Sequence, residues 1–155
     1  MLMNGLKGLT QEERVRKYGE VFTPQKTVTD MCDMLERESP DCFAVNTTFL
    51  EPCCGDGGFV LEILRRKFAH CWKRSDYTDA LKSVWGMEIQ EDNVNACIAN
   101  VTALCEEYFK PTKAELEIIN NHIILCDSLK VMKMMNELNE REAANDKQSS
   151  ETIFM

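Results

Sequence analysis

A short stretch that reads as a strand and the glycine-rich turn after it, within residues 46–60, decide the fold class of this chain. The stretch reads Asn-Thr-Thr-Phe-Leu-Glu-Pro-Cys-Cys-Gly-Asp-Gly-Gly-Phe-Val. Residues 46–50 predict a buried strand, and the glycines predict a tight turn, because glycine adopts backbone conformations that other residues avoid. Apolar residues then recur at helical spacing, at Val60, Leu61, Leu64 and Phe68. A strand, a glycine turn and a helix in this order form the first unit of a parallel α/β sheet.

The rest of the chain repeats this alternation. Hydrophobic periodicity predicts further strands over residues 84–89 and 122–126, and further helices over residues 91–109 and 129–138. A polar loop is expected over residues 73–79, a polar linker over 139–150 and the start of a fourth strand over 152–155. The chain is therefore predicted to be an α/β protein. It would hold about the first half of a doubly wound sheet over residues 46–138, followed by a tail over residues 139–155.

Residues 1–38 are predicted to form a helical segment in front of the sheet. Thr10 and Glu13 fit a capping box, and Gly19 suits the end of that first helix. A second helix is expected to begin at Pro24, with Thr23 as its N-cap.

The charge and the hydropathy of the chain exclude several classes of protein. The sequence has 18 Lys and Arg against 26 Asp and Glu, a net charge of −8. A domain that binds DNA by itself usually has an excess of basic residues, because its affinity comes from neutralising phosphates. No stretch approaches the roughly 18 apolar residues of a membrane span, and the first ten residues do not resemble a secretory signal.

Eight cysteines are present, but their spacing does not predict a metal site. The sequence contains no Cys-x-x-Cys pair and only two histidines, whereas zinc sites need paired ligands at short spacing. We therefore expect free thiols, no bound metal and a cytoplasmic location.

The glycine-rich turn predicts a ligand loop, and its charge indicates which ligand. Gly55 and Gly57 match the first two glycines of the dinucleotide pattern Gly-x-Gly-x-x-Gly, but Val60 occupies the third position. Glu51 and Asp56 would repel a pyrophosphate and would suit a cation. These residues favour S-adenosylmethionine, which carries a sulfonium and an α-amino group, over a nucleotide.

Four stretches resemble, in order, motifs of the adenine-specific amino-methyltransferases of restriction-modification systems. Residues 51–59, Glu-Pro-Cys-Cys-Gly-Asp-Gly-Gly-Phe, resemble the cofactor loop of that family. Residues 19–24, Gly-Glu-Val-Phe-Thr-Pro, resemble its Phe-Thr-Pro motif, and residues 86–89 and 126–129 resemble its second and third motifs. The resemblance implies a Rossmann-like S-adenosylmethionine-dependent methyltransferase fold, truncated to about the first half of the sheet.

The resemblance also implies a set of cofactor-binding residues. Phe22, Thr23 and Pro24 would fold over the methionine part. Glu88, next to Ile89, would take the ribose hydroxyls, and Asp127, next to Ser128, would read the adenine amino group. The loop residues of this set are Glu51, Pro52, Cys53, Gly55, Gly57 and Phe59.

Each of these features also has a structural explanation. Taken alone, Glu88 and Asp127 are more often solvated carboxylates at strand ends than ligands, and Thr23-Pro24 is only a helix start. The basic cluster of Arg65, Arg66 and Lys67 with Lys73 and Arg74 is expected to be a solvated helix face rather than a DNA contact. Met132, Met134 and Met135 are expected to serve packing rather than to form a binding surface.

One motif of that family is absent from the sequence. The family holds its flipped adenine with Asn or Asp, Pro, Pro and then Tyr or Phe, whereas the four prolines here (Pro24, Pro40, Pro52 and Pro111) are all isolated. We therefore predict no catalytic residues in this chain, no methylation by the chain alone, and DNA contact only through a separate catalytic and recognition half. The first strand would lie near an open sheet edge, which predicts a homodimer or a complementing methyltransferase subunit.

Two other functions remain open. The second reading is a role without catalysis, as a sensor that binds S-adenosylmethionine or as a regulator that interferes with a methyltransferase. A small-molecule or protein methyltransferase is the third and weakest alternative.

Overall fold

The structure, a computed structural model, describes residues 9–151, with side chains described up to residue 145. Within this range the helices are α1 (Gln11–Tyr18), α2 (Gln25–Glu38), α3 (Gly58–Ala69), α4 (Arg74–Lys82), α5 (Glu91–Tyr108), α6 (Lys113–His122) and α7 (Ser128–Glu151). The strands are β1 (Phe49–Glu51), β2 (Val84–Glu88) and β3 (Ile123–Leu125). The predicted α/β class is therefore confirmed.

The three strands form one parallel sheet in the order β1-β2-β3. Leu50 lies opposite Trp85, and Met87 lies opposite Ile124. Since all strands run the same way, their carboxyl ends meet at one edge, where α/β proteins bind ligands. Among the residues described, β1 pairs on one side only, which agrees with the expected open edge.

One face of the sheet carries the hydrophobic core. Val60 of α3 and Val101 of α5 border the same small internal space as Val84 of β2 and Ile123 of β3. These four side chains are at most 5% exposed. On the opposite face Leu50 is 49% exposed, so the sheet is covered mainly on one side.

An aromatic cluster and an ion pair attach α4 and α6 to this core. Phe68 meets Tyr77, Tyr108 and Phe109 at ring-centroid distances of 5.1 to 5.9 Å. Nearby, the buried carboxylate of Glu115 accepts two hydrogen bonds of 2.6 Å from Arg74 and one from the Thr78 hydroxyl. The Arg74 guanidinium, as the main cause, lowers the pKa of Glu115 to about 2.

Several sequence predictions of secondary structure are wrong in detail. Residues 73–79 form most of α4 rather than a polar loop, and α6 was not predicted. Residues 139–150 continue α7 rather than forming a linker. The first strand covers Phe49–Glu51 and not residues 46–50, and the expected fourth strand at 152–155 lies outside the described residues. At α2 the N-cap is Pro24, one residue later than predicted, so Thr23 does not cap the helix.

Two predictions about surfaces need correction. The basic cluster is a solvated face only in part, since Arg65, Lys73 and Arg74 are exposed. Lys67, in contrast, is fully buried and donates to the carbonyl oxygens of Ala44, Val45 and Thr47. In the same cluster Arg66 forms ion pairs with Asp33, Glu36 and Glu62. The methionines of α7 do not pack in the core. Met132, Met134 and Met135 are 47%, 62% and 55% exposed.

Replacing Glu115 with Gln should make the protein less stable at neutral pH. The folded-state pKa of this carboxyl is below its ordinary value, so its stabilising contribution is present above about pH 4.5 and is lost as the pH falls towards 2. We expect urea unfolding to show a loss of about 2 kcal/mol at pH 7, shrinking below pH 4. Glu117→Gln, an exposed change on the same helix, is the control. An equal loss for Glu115→Gln at pH 7 and pH 3 would contradict this account.

Candidate cofactor site

The glycine-rich loop is shaped by its own side chains and by a bond to β2. Glu51 Oε1 accepts a hydrogen bond of 3.1 Å from the Cys53 N–H, which turns the chain immediately after β1. The Cys54 N–H donates to the Met87 carbonyl at 2.9 Å, so the loop is fastened to the neighbouring strand. Gly57 is the N-cap of α3.

The two glycines of the motif are required for different reasons. Both have a positive φ, +54° at Gly55 and +104° at Gly57, in the region that favours glycine. A Cβ on Gly55 would lie 3.3 Å from the Phe22 ring, whereas a Cβ on Gly57 would lie 2.9 Å from Cys97 Sγ on α5. Gly55 therefore permits the Phe22 segment to approach the loop, and Gly57 permits α5 to approach it.

Glu20 holds the segment that carries Phe22 in place. Its side chain is 7% exposed, and its carboxylate accepts hydrogen bonds from Arg14, Gln90 and Asn93. Arg14 also pairs with Asp92 at the start of α5, and the hydrogen bonds that Arg14 donates to the carboxylates of Glu20 and Asp92 raise its pKa above the usual value. Sequence reasoning did not find Glu20, Gln90 or Asn93, because Glu20 and its two amide partners stand 70 and 73 residues apart.

Glu88 ends β2, as predicted, but most of its acceptor capacity is used inside the protein. Oε2 accepts a 3.0 Å hydrogen bond from the Gly55 N–H, and Oε1 accepts 2.9 Å bonds from the Ile89 and Gln90 N–H groups. The residue is 9% exposed, whereas Ile89 beside it is 57% exposed. Glu88 therefore joins the glycine loop to the end of β2.

Asp127 and Ser128 follow β3 at the same edge of the sheet. Asp127 Oδ1 accepts from the Lys130 N–H at 3.3 Å, so the side chain caps the first turn of α7. Ser128 Oγ lies 3.9 Å from Cys53 Sγ, which brings the ends of β1 and β3 together. The Cys126 N–H donates to the Glu88 carbonyl at 2.9 Å, which fixes the position of this turn relative to the end of β2.

A cavity of about 170 Å³ lies where the loop, the Phe22 segment and the end of β2 meet. Of the predicted cofactor residues, those that line it are Phe22, Cys53, Gly55, Glu88 and Ile89. The predicted residues that do not line it are Thr23, Pro24, Glu51, Pro52, Gly57, Phe59, Asp127 and Ser128. Since complete small-molecule sites have volumes of roughly 300 Å³ or more, this cavity has the size of a subsite.

The lining of the cavity suits a ligand that donates hydrogen bonds. Glu20 and Glu88 line it, and none of the described lining residues is Lys or Arg, although Arg14 pairs with Glu20 from outside the lining. Gln90 lines it too, and Gln90 Oε1 is buried without a hydrogen-bond partner in the part of the chain with described side chains. S-adenosylmethionine fits these residues, because its ribose hydroxyls and its ammonium group are donors and it carries no phosphate.

The cysteines around the loop are free thiols, of which Cys54 is buried, Cys126 is partly buried and Cys53 is exposed. A hydrogen bond with Cys97 and burial raise the pKa of Cys54, and burial raises the pKa of Cys126. Thiols in this state are poor nucleophiles and poor metal ligands. Over the described residues, no group of three or more His, Cys, Asp or Glu side chains is placed to hold a metal ion, and no helix is long and apolar enough to cross a membrane.

A glycine-rich turn after the first strand, with a carboxylate at the end of the second, is typical of α/β proteins that bind nucleoside cofactors. Comparison with known families gives the class: residues 6–138 match the family of N-6 DNA methylases. This chain belongs to that family, which confirms the resemblance to N6 DNA methyltransferases. The family as a whole is one of methyltransferases that act on DNA.

The chain is similar to the Type II methyltransferase M.VspI of Vibrio sp. (strain 343). The two are 28% identical over 105 residues, which cover 65% of this chain and 22% of the relative. The chain therefore corresponds to about a fifth of the length of this curated relative. No solved structure matches the chain significantly.

Replacing Gly57 with Ala should destabilise the protein, because the new Cβ would meet Cys97 Sγ at 2.9 Å and φ is +104°. The left-handed backbone alone costs an alanine about 1–2 kcal/mol, and the contact adds to this. Gly58→Ala is the matched control. It has no positive φ, and its Cβ would find Val28 at 3.9 Å. Urea unfolding should show a loss for Gly57→Ala alone. Equal stability of the two variants would show that α5 does not constrain the loop.

Proposed function

We propose that this chain is the S-adenosylmethionine-binding part of a cytoplasmic adenine-specific DNA methyltransferase of restriction-modification type. The fold would be Rossmann-like, with the cofactor half-sheet over residues 46–138 and the helical segment over residues 1–38 folded against it. The observation that carries the proposal is the convergence of Phe22, Gly55 and Glu88 on one cavity at the carboxyl ends of the strands. The Type II methyltransferase relative supports the restriction-modification class.

When bound, S-adenosylmethionine would supply an electrophilic methyl group for transfer to adenine N6. The residues of this chain bind and orient. Phe22 packs over Gly55 and forms one side of the cavity, and the exposed Ile89 forms another wall. Glu20 is paired with Arg14, so Glu88 is the lining carboxylate whose charge favours a cationic ligand over a phosphate. Asp127 lies outside the cavity at the same sheet edge and still has acceptor capacity for an amino group.

We further propose that these 155 residues bind the cofactor but do not transfer the methyl group by themselves. The Asn-Pro-Pro-aromatic motif that would hold a flipped adenine is not among them. A net charge of −8 opposes binding to phosphates, so DNA contact is assigned to another polypeptide segment. A regulator that binds S-adenosylmethionine without catalysis would use the same cavity, so binding alone does not separate the two functions.

Titration of S-adenosylmethionine and S-adenosylhomocysteine into the purified chain tests the cofactor proposal. We expect micromolar dissociation constants by isothermal calorimetry. Glu88→Gln should weaken binding by about 10- to 100-fold, because a charge-assisted hydrogen bond is lost. Asp127→Ala should weaken both ligands by about 10-fold, and the exposed Glu106→Gln on α5 is the control.

Absence of binding at millimolar concentrations of both ligands would contradict the cofactor proposal. Where binding is present, titrating the chain into an active N6 DNA methyltransferase separates the two functions. A fall in the enzyme's activity at saturating S-adenosylmethionine would favour the regulator.

We also propose that a second copy of the chain covers its open surfaces. Val131, Met134, Met135 and Leu138 of α7 recur at spacings of three and four, so they form one apolar helix face. The three larger side chains are 54% to 62% exposed. The sheet face that carries Leu50 is also open, so the chain presents two complementary apolar surfaces, which two copies can bury by exchanging α7 in a symmetric dimer.

Light scattering after size exclusion tests this association. The chain should elute as a dimer at about 100 μM, and Met135→Glu should convert it to a monomer, because the charge would enter the apolar contact. Lys133→Glu places the same residue on the opposite face of α7 and should leave the dimer intact. A wild-type chain that is monomeric at this concentration would contradict the proposal.

A further inference from the structure

Residues 10–23, which we call the strap, comprise α1 with its N-cap and the segment that leads into α2. One wall of the cavity is made by consecutive strap residues, Tyr18, Gly19, Glu20, Val21 and Phe22. The other described lining residues belong to the glycine loop and to the stretch from the end of β2 to the first turn of α5. The position of the strap therefore sets the size of the cavity.

Apolar packing contributes little to holding the strap in this position. The α1 helix has no buried residue, and Val15 and Tyr18 are 40% and 39% exposed. After the helix, Val21 is 73% exposed and Phe22 is 42% exposed. A segment with so few buried apolar side chains opens at a lower free energy than the core does.

Two charged side chains join the strap to α5 and its N-cap. Arg14 Nη1 donates to Asp92 Oδ2 at 2.7 Å. Glu20 Oε2 accepts from Gln90 Nε2 at 2.7 Å and from Asn93 Nδ2 at 3.3 Å. Arg14 also donates to both oxygens of Glu20, at 2.7 to 3.1 Å, so the two charges are joined to each other. Among the described side chains, these contacts carry the hydrogen bonds between the strap and the rest of the protein.

Closure of the strap depends on Arg14 in particular. The side chains of Arg14 and Glu20 are 12% and 7% exposed, so the Glu20 carboxylate is withdrawn from water next to its cation. A carboxylate at this depth without a cation is costly, and it regains water when the strap moves outward. Arg14 itself does not belong to the lining of the cavity.

We propose that Arg14 is a positioning residue for the cofactor, which through Glu20 and Asp92 latches the strap over the cavity, so that the cofactor enters and leaves when this latch opens. The inference rests on the proposed function and assigns Arg14 and Asp92 to it. With the strap closed the cavity has about 170 Å³, less than the roughly 300 Å³ of a complete small-molecule site. Outward movement of the strap enlarges it, as the opening of a lid does.

Surface plasmon resonance with S-adenosylhomocysteine over the immobilised chain tests the latch, because it measures the association and dissociation rate constants separately. Arg14→Gln should raise the dissociation rate constant at least about 10-fold, since the closed strap no longer retains the ligand. It should also raise the association rate constant, because a larger fraction of the protein is open when the ligand arrives. Loss of a contact that only adds affinity acts on dissociation and does not speed association.

Two further variants make the test specific. Arg16→Gln is the same change on an exposed side chain of α1 and should keep both wild-type rate constants. Asp92→Asn removes the partner of Arg14 outside the strap and should shift both rate constants in the same direction as Arg14→Gln. The double variant of Arg14→Gln and Asp92→Asn should match Arg14→Gln alone, because both changes break one contact.

Trypsin digestion gives a readout that needs no ligand. Cleavage after Lys17, in the last turn of α1, should be several-fold faster in Arg14→Gln than in the wild type or in Arg16→Gln, because an open strap is a better protease substrate. Circular dichroism should show each variant folded, since α1 contributes no buried residue to the core.

An association rate constant that falls or stays unchanged in folded Arg14→Gln would overturn the latch and leave the cofactor proposal standing. Equal cleavage after Lys17 in the wild type and Arg14→Gln would do the same. A wild type that does not bind S-adenosylhomocysteine would overturn the cofactor proposal and this inference with it.

Discussion

The carboxylate of Glu88 is the interaction on which the site depends. It accepts from the Gly55 N–H of the glycine loop and from two N–H groups directly after β2. A buried backbone N–H group without a hydrogen-bond partner costs free energy. Glu88 therefore stabilises two turns, because it accepts from N–H groups in both. The position of the loop relative to β2 is therefore set by a residue that was predicted for a ligand.

The structural role of Glu88 changes how a ligand must be accommodated. In a loop held by a neutral side chain, the carboxylate at the end of β2 would be free for both ribose hydroxyls. Here its three bonds to the backbone keep the loop in shape and leave about one acceptor site of the carboxylate for a ligand.

Local patterns in the sequence were sufficient to predict three features. These are the succession of the three strands along the chain, the glycine loop and the carboxylates at the sheet edge. The α4 helix was missed although Tyr77, Ala80 and Leu81 follow helical spacing, since its polar first turn resembles a loop. Its start is marked by Asp76, which accepts from the Lys73 N–H, a local signal that was available. The network of Glu20, Gln90 and Asn93 gave no such signal, because hydrogen bonds between distant residues leave no periodicity in the sequence.

One face of the sheet is left largely uncovered by the helices that the structure describes. Parallel sheets are normally covered on both faces, because their strands are apolar on both sides. Within the described residues α3 and α5 cover one face, while the other exposes Leu50 beside the unpaired edge of β1. The turn at Cys53 and Ser128 lies at the end of that same strand and close to the cavity. The open face and the cavity therefore lie next to the same strand, and Cys53, which directly follows β1, belongs to the lining of the cavity.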